Sequence, residues 1–137
     1  MQRDSYSDKQ IIDILSMRTI AVIGMSKHSS KAAHYVPKYL HENGYDITPV
    51  NPTADKILDI RCYDSVSEID GSVDIIDVFR PSDQISSIIH DCIEKNPKVI
   101  WLQEGIHDFE SEELARESGI LVVFNRCMLA EHQRLAL

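Results

Sequence analysis

The sequence contains no run of eighteen uncharged apolar residues, and Met1 leads into Gln2, Arg3, Asp4 and Ser5 with no apolar stretch behind them. Those absences predict neither a membrane-spanning helix nor an export signal, and hence a cytoplasmic protein. Cysteine is scarce as well. Cys62, Cys92 and Cys127 stand about 30 residues apart without a CxxC pair, which excludes a disulfide framework and a zinc site and fits a reducing compartment. The six histidines show no HxH or HxxxH spacing, so no metal site is predicted. Basic residues are the minority. Lys and Arg number 14 against 22 Asp and Glu, a formal charge of −8 that repels nucleic-acid phosphates and anionic lipid over most of the surface.

What is present is ordinary globular material. Apolar residues make up 43% and charged residues 26% of the 137 residues, enough to bury a core within one domain spanning 1–137 without disulfides or metals. The charge is uneven along the chain. No acidic residue occurs between Asp13 and Glu42, whereas Arg18, Lys27, Lys31 and Lys38 all do. An anionic ligand would bind against that local positive stretch.

Ser7 followed by Gln10 resembles a capping box, and Ile11, Ile12, Ile14 and Leu15 give the apolar face of a short helix over about residues 8–17. Thr19 to Ile23 is apolar and β-branched, ends at Gly24, and gives way to a polar loop before a helical pattern around Val36, Tyr39 and Leu40. Pro37 is compatible with a helix that starts near Ala33, because first-turn amides have no intrahelical acceptor. Tyr45 to Val50 reads as a second strand stopped by Asn51-Pro52, and Cys62 to Ile69 as a short third strand and turn. Val73 to Phe79 is a fourth apolar run. Pro81-Ser82 then opens a helix whose stripe is Ile85, Ile88, Ile89, Cys92 and Ile93. Val99 to Leu102, a helix over Phe109 to Glu117, Ile120 to Phe124 and a helix over Met128 to Leu135 complete the alternation.

Apolar strands separated by helical stripes predict an α/β fold, Rossmann-like and doubly wound, with a mainly parallel five-stranded sheet and helices on both faces. Ligands of such sheets sit outside the carboxyl ends of the strands, here Gly24, Asn51, Arg80, Gln103 and Asn125. Gly24-Met25-Ser26 matches the dinucleotide fingerprint poorly, because serines stand at positions 26 and 29, and the second strand ends at Asn51 rather than at an acid. A phosphate held by loop amides and Lys27 or Lys31, and a tight turn with solvated lysines, both stand open. Phe79 and Arg80 pair an aromatic with a guanidinium at a strand end, suited to stacking on a base and contacting phosphate; a core Phe and a surface Arg are the alternative. Asp74 and Asp77 do not form an acid pair, since residues three apart on a strand point to opposite faces. Cys127, with Arg126 before it and His132 after it, is a candidate thiol nucleophile, although a packed small hydrophobe is the stronger reading.

Gly24-Met25-Ser26, Ala33-His34-Tyr35-Val36-Pro37, Val50-Asn51-Pro52, Asp77-Val78-Phe79-Arg80-Pro81, Trp101-Leu102-Gln103-Glu104-Gly105-Ile106 and Arg126-Cys127 with Glu131-His132 occur in this order. In that set the chain resembles the small CoA-binding proteins, a family similar to the N-terminal domain of the succinyl-CoA synthetase α subunit. The resemblance implies that coenzyme A or an acyl-CoA lies across the strand ends, with its nucleotide phosphates toward the first loop. The implied binding residues are Gly24, Met25, Ser26, Lys31, Val50, Asn51, Pro52, Phe79, Arg80, Gln103 and Gly105. Family members often carry arginine near the position of Lys31 and an acid at the position of Asn125. Succinyl-CoA synthetase catalysis uses a second domain bearing a phosphorylated histidine, and this chain stops soon after the first, so the expectation is a non-catalytic binding module, with a protein partner or a homo-oligomer as its setting. A small thiol-dependent acyl-CoA or CoA-disulfide enzyme using Cys127 with His132 or His34 is the second reading, and an NAD(P)-binding oxidoreductase the third.

Overall fold

The computed structural model describes all 137 residues, Met1 to Leu137. The chain runs α1 (Asp8–Leu15), β1 (Thr19–Ile23), α2 (Ala32–Glu42), β2 (Asp46–Val50), β3 (Lys56–Ile57), β4 (Ile60–Arg61), β5 (Ile75–Val78), α3 (Ile85–Lys95), β6 (Val99–Leu102), α4 (Phe109–Glu117), β7 (Leu121–Val123) and α5 (Met128–Arg134). Short 3-10 turns at Val66–Glu68 and Ser82–Gln84 precede β5 and α3. Ser7 caps α1 with the reciprocal hydrogen bonds of a capping box, as its spacing from Gln10 predicts.

Five parallel strands form one sheet in the order β2-β1-β5-β6-β7. Alternate residues of each strand serve opposite faces, because successive Cβ atoms point to opposite sides. Ile20 and Val22 of β1 join the core beneath α1, α2 and α5, together with Ile11, Leu40 and Met128. Ala21 and Ile23 join the core beneath α3 and α4, together with Ile85, Ile89 and Ala115. The sheet is thus covered on both sides, and β5 is buried along its whole length. The chain leaves β1 toward β2 on one side and returns to β5 on the other, so the strand order reverses between β1 and β5 and opens a crevice at their carboxyl ends. No helix is long and apolar enough to cross a membrane.

Two sequence expectations change. The third strand does not lie over Cys62 to Ile69. Extended backbone occurs earlier, as the two-residue ribbon β3–β4, turned by Leu58 and Asp59 with φ of 54° and 62°. Beyond it, only Tyr63 bridges in parallel to Val50 before the 3-10 turn, a third strand reduced to one bridge on the outer edge of β2. Tyr63 contributes a single ladder position, and the polar Asp64-Ser65 pair that follows is not the apolar material a longer strand would bury. The second change concerns Pro37, which stands in the second turn of α2, at its sixth residue, rather than in the first. The carbonyl it leaves without an intrahelical donor, that of Ala33, accepts the Ser26 N–H at 3.0 Å. A proline in the helix therefore ties the helix to the loop that precedes it.

Candidate functional site

The loop after β1 is built around a close approach. Gly24 has φ of +79°, and a Cβ there would stand 2.3 Å from the Phe79 carbonyl oxygen. Any side chain would collide with backbone, so the β1 turn and the end of β5 can lie this close only with glycine. The Gly24 amide donates to the Val50 carbonyl at 3.1 Å. Asn51, just past β2, donates from Nδ2 to the Met25 carbonyl at 2.9 Å and accepts from both the amide and the hydroxyl of Thr53 at 2.8 Å. His34 Nδ1 lies 2.7 Å from the Ser26 carbonyl; since a carbonyl only accepts, that nitrogen carries the proton. These bonds engage loop carbonyls and leave the first amides of α2 pointing out of the helix without intrahelical acceptors.

Lys31 is the N-cap residue of that helix, and Arg80 passes beside Gly24, its Nε 3.5 Å from where a Cβ would stand. Neither cation has a carboxylate within ion-pairing range. The ion pairs of the molecule use Arg3, Lys98, His107, Arg116, Arg126 and Arg134 instead. A cavity of about 250 Å³ lies between the two cations, with Gly24, Ser26, Asn51 and Thr53 in its wall. Met25 also borders it, but the Met25 side chain is in the core, so its backbone faces the cavity. Pro52 and Arg80 are shared with an adjoining hollow of about 110 Å³ walled by the apolar Ile23, Val50, Val66 and Ile88 and by the polar Asp64, Ser65 and Asp91. The pair of hollows offers unpaired positive charge next to a slot of mixed apolar and polar lining, which suits a phosphorylated nucleoside.

On the other side of β5 a groove of about 190 Å³ is lined by Tyr35, Val36, Phe79, Gln103, Ile106 and Cys127. Phe79 and Arg80 thus face different hollows and do not form one stacking platform. Gly105, named with the binding residues, lines none of these spaces. Its φ is +85° and its amide donates to Asn125 Oδ1 at 2.7 Å, which makes it part of a turn. Thr53 joins the cavity wall without a signal in the sequence beyond its nearness to Asn51.

Cys127 caps α5 and borders the groove, but the groups that could activate it are engaged elsewhere. The Arg126 guanidinium bonds Asp4 and Glu131. His132 Nδ1 lies 2.7 Å from the Tyr39 hydroxyl, and burial holds its imidazole below the usual histidine range. His34 is bonded to Ser26. No histidine hydrogen-bonds the Cys127 thiol. Asp74 and Asp77 are likewise separate: Asp74 turns to Lys98 at 3.4 Å, whereas Asp77 is fully buried, between Val22 and Trp101 on neighbouring strands. Burial pushes the Asp77 carboxyl up to about 7. Its Oδ1 accepts from Gln103 Nε2 at 2.5 Å, and its Oδ2 has no partner.

Over residues 18–133 the sequence matches the family model described as CoA binding domain. The chain belongs to the CoA binding domain family. This CoA-binding-family chain is 35% identical over 127 residues to the uncharacterized protein YneT of Bacillus subtilis, an alignment covering 92% of the chain and 94% of YneT. It is 32% identical over 133 residues to acetate–CoA ligase (ADP-forming) II of Archaeoglobus fulgidus, covering 88% of the chain but 20% of the ligase, so the chain spans about a fifth of that enzyme. A solved structure of a hypothetical protein from Pyrococcus horikoshii superimposes with a TM-score of 0.93 at 34% identity and full coverage of both chains. The family match begins just before β1 and ends within α5, so it takes in every strand-end loop described above.

Proposed function

We propose that this protein binds coenzyme A or an acyl-CoA across the carboxyl ends of its strands and acts as a binding module rather than as a catalyst. The observation that carries the proposal is the pair of unpaired cations, Lys31 and Arg80, flanking one cavity in an otherwise acidic protein of the CoA binding domain family. The ligand's phosphates fit between Lys31, Arg80 and the first amides of α2. Its adenine fits the slot beside Val50 and Pro52, where apolar walls hold the ring and Asp64 and Ser65 offer acceptors for its amino group, and its pantetheine arm crosses β5 to the groove at Phe79 and Gln103. Support for a non-catalytic role is the engagement of His34 and His132 away from Cys127. The ligase relatives match over a minor part of their length, and their activity resides in larger proteins.

Calorimetric titration with CoA, 3′-dephospho-CoA, NAD and ATP at low and moderate salt tests the proposal. Micromolar CoA binding that weakens with salt and in Arg80→Ala and Lys31→Ala is the expected result. Absence of heat with CoA, or turnover of acyl-CoA thioesters by the purified protein, contradicts it.

A further inference from the structure

Gln103 is the last residue before the turn that follows β6, and it is 3% exposed. Its amide orientation is settled by its surroundings. The Met128 backbone N–H, 3.2 Å away, can only donate, so the oxygen of Gln103 faces it. The nitrogen then faces Asp77, which accepts at 2.5 Å. That nitrogen carries two hydrogens, and Asp77 takes one. The second has no protein acceptor, and the residue lines the groove that also holds Phe79 and Cys127. One donor hydrogen of Gln103 is therefore open to an acceptor from outside the protein.

Asp77 is unusual in its own layer. The residues beside it in register are Val22 and Trp101, both fully buried, and an aliphatic side chain there would pack without stranding an oxygen. Its single polar contact from another residue's side chain is to Gln103. Without that contact the Gln103 amide would be held at one end only and free to swing.

We infer that Asp77 is a positioning residue that aims the free N–H of Gln103 into the groove, where it binds a carbonyl of an acyl-amide arm such as pantetheine. This rests on the coenzyme A reading above. The geometry of the sheet fits it: β1 and β6 flank β5, so the phosphate loop and Gln103 stand two strand spacings apart, about 10 Å, a span that places an amide of the arm within reach.

The test compares two probes, CoA and adenosine 3′-phosphate 5′-diphosphate, which is CoA without its pantetheine arm. The ratio of their affinities isolates the arm, and melting temperature is followed in parallel. Asp77→Leu and Gln103→Leu are each expected to reduce that ratio about five- to tenfold, the scale of one neutral hydrogen bond. Asp77→Asn retains an acceptor oxygen and should keep the wild-type ratio. The double variant Asp77→Leu/Gln103→Leu should lose no more than Gln103→Leu alone, because Asp77 acts only through Gln103. Gln103→Leu lies in the groove wall and reports on the donor even where Asp77→Leu fails to fold. A wild-type ratio in Gln103→Leu or in folded Asp77→Leu overturns the inference, as does an additive double variant. Failure of wild-type protein to bind either probe overturns the coenzyme A reading itself, and this role of Asp77 with it.

Discussion

The loop after β1 and the loop after β7 both lead from the carboxyl edge of the same sheet into a helix, yet their polar groups are used in opposite ways. After β7, Arg126 is 4% exposed and fully engaged. Its Nε and Nη2 hold the two oxygens of Asp4 at 3.1 and 2.7 Å, and its Nη1 reaches Glu131 at 3.3 Å. Asn125, in a left-handed conformation that asparagine tolerates, accepts the Gly105 amide and donates to the carbonyls of Met1 and Gln2. By contrast Lys31, at the end of the loop after β1, and Arg80, which reaches that loop from just past β5, have no acidic partner and border a cavity. One loop clamps the N-terminal segment over the sheet edge because the chain supplies its own anions there. The other borders two cations that no carboxylate of the protein pairs. The same strand–loop–helix unit is a latch or, on the function proposed above, a receptor according to whether its charge is satisfied internally.

Breaking the latch has the largest expected effect. Arg126→Ala leaves the buried Asp4 carboxylate without its guanidinium, while Glu131 keeps Arg134, and chemical denaturation should show a loss of about 3–5 kcal/mol. Gly24→Ala attacks the receptor loop through its backbone. A left-handed φ and the clash with the Phe79 carbonyl should lower stability by roughly 2–3 kcal/mol and abolish CoA binding in the same preparation.

The buried carboxyl between the two loops gives a pH signature. Asp77 is raised to about 7 in the folded protein, so between pH ~4 and about 7 the folded state holds a proton that the unfolded chain has released. Its contribution favours folding below that window and is lost as pH rises through it, with a slope of up to about 1.4 kcal/mol per pH unit. Asp77→Asn should flatten this part of the stability profile measured by urea titration; an unchanged slope would mean the carboxyl titrates normally.

The smallest effects on stability belong to the receptor cations, and they sharpen the comparison. Arg80→Ala should leave stability within about 0.5 kcal/mol, because no protein partner is lost, while CoA affinity falls about tenfold. Lys31→Ala should cost about threefold in affinity, since an exposed ammonium on a flexible stem is a weaker phosphate ligand than a guanidinium fork.

Much of the cleft can be read along the chain because it follows from strand ends. Gly24, Asn51 and Arg80 follow from the rule that ligands sit where parallel strands stop, Ser26, Lys31 and Pro52 from the family resemblance, and the fold brings all six to one cavity. Phe79 and Arg80 are adjacent in sequence but serve different hollows, because consecutive residues leaving a strand point apart. Gly105 follows the pattern of a ligand-approaching glycine, yet its amide is taken by Asn125, a partner twenty residues away. Cys127 and Arg126 are neighbours whose side chains have separate business, one in the groove and one in the buried network.

The alternation of apolar runs with amphipathic stripes was sufficient to specify the doubly wound sheet, its two covered faces and the edge where a ligand would lie, because periodicity and turn chemistry act over a few residues. The state of the polar groups was not written at that range. Asp4 meets Arg126 across 122 positions, and Asp77 meets Gln103 across 26. Only folding brings such pairs together, and only then is it decided which charges are spent on the protein itself and which remain open to a ligand.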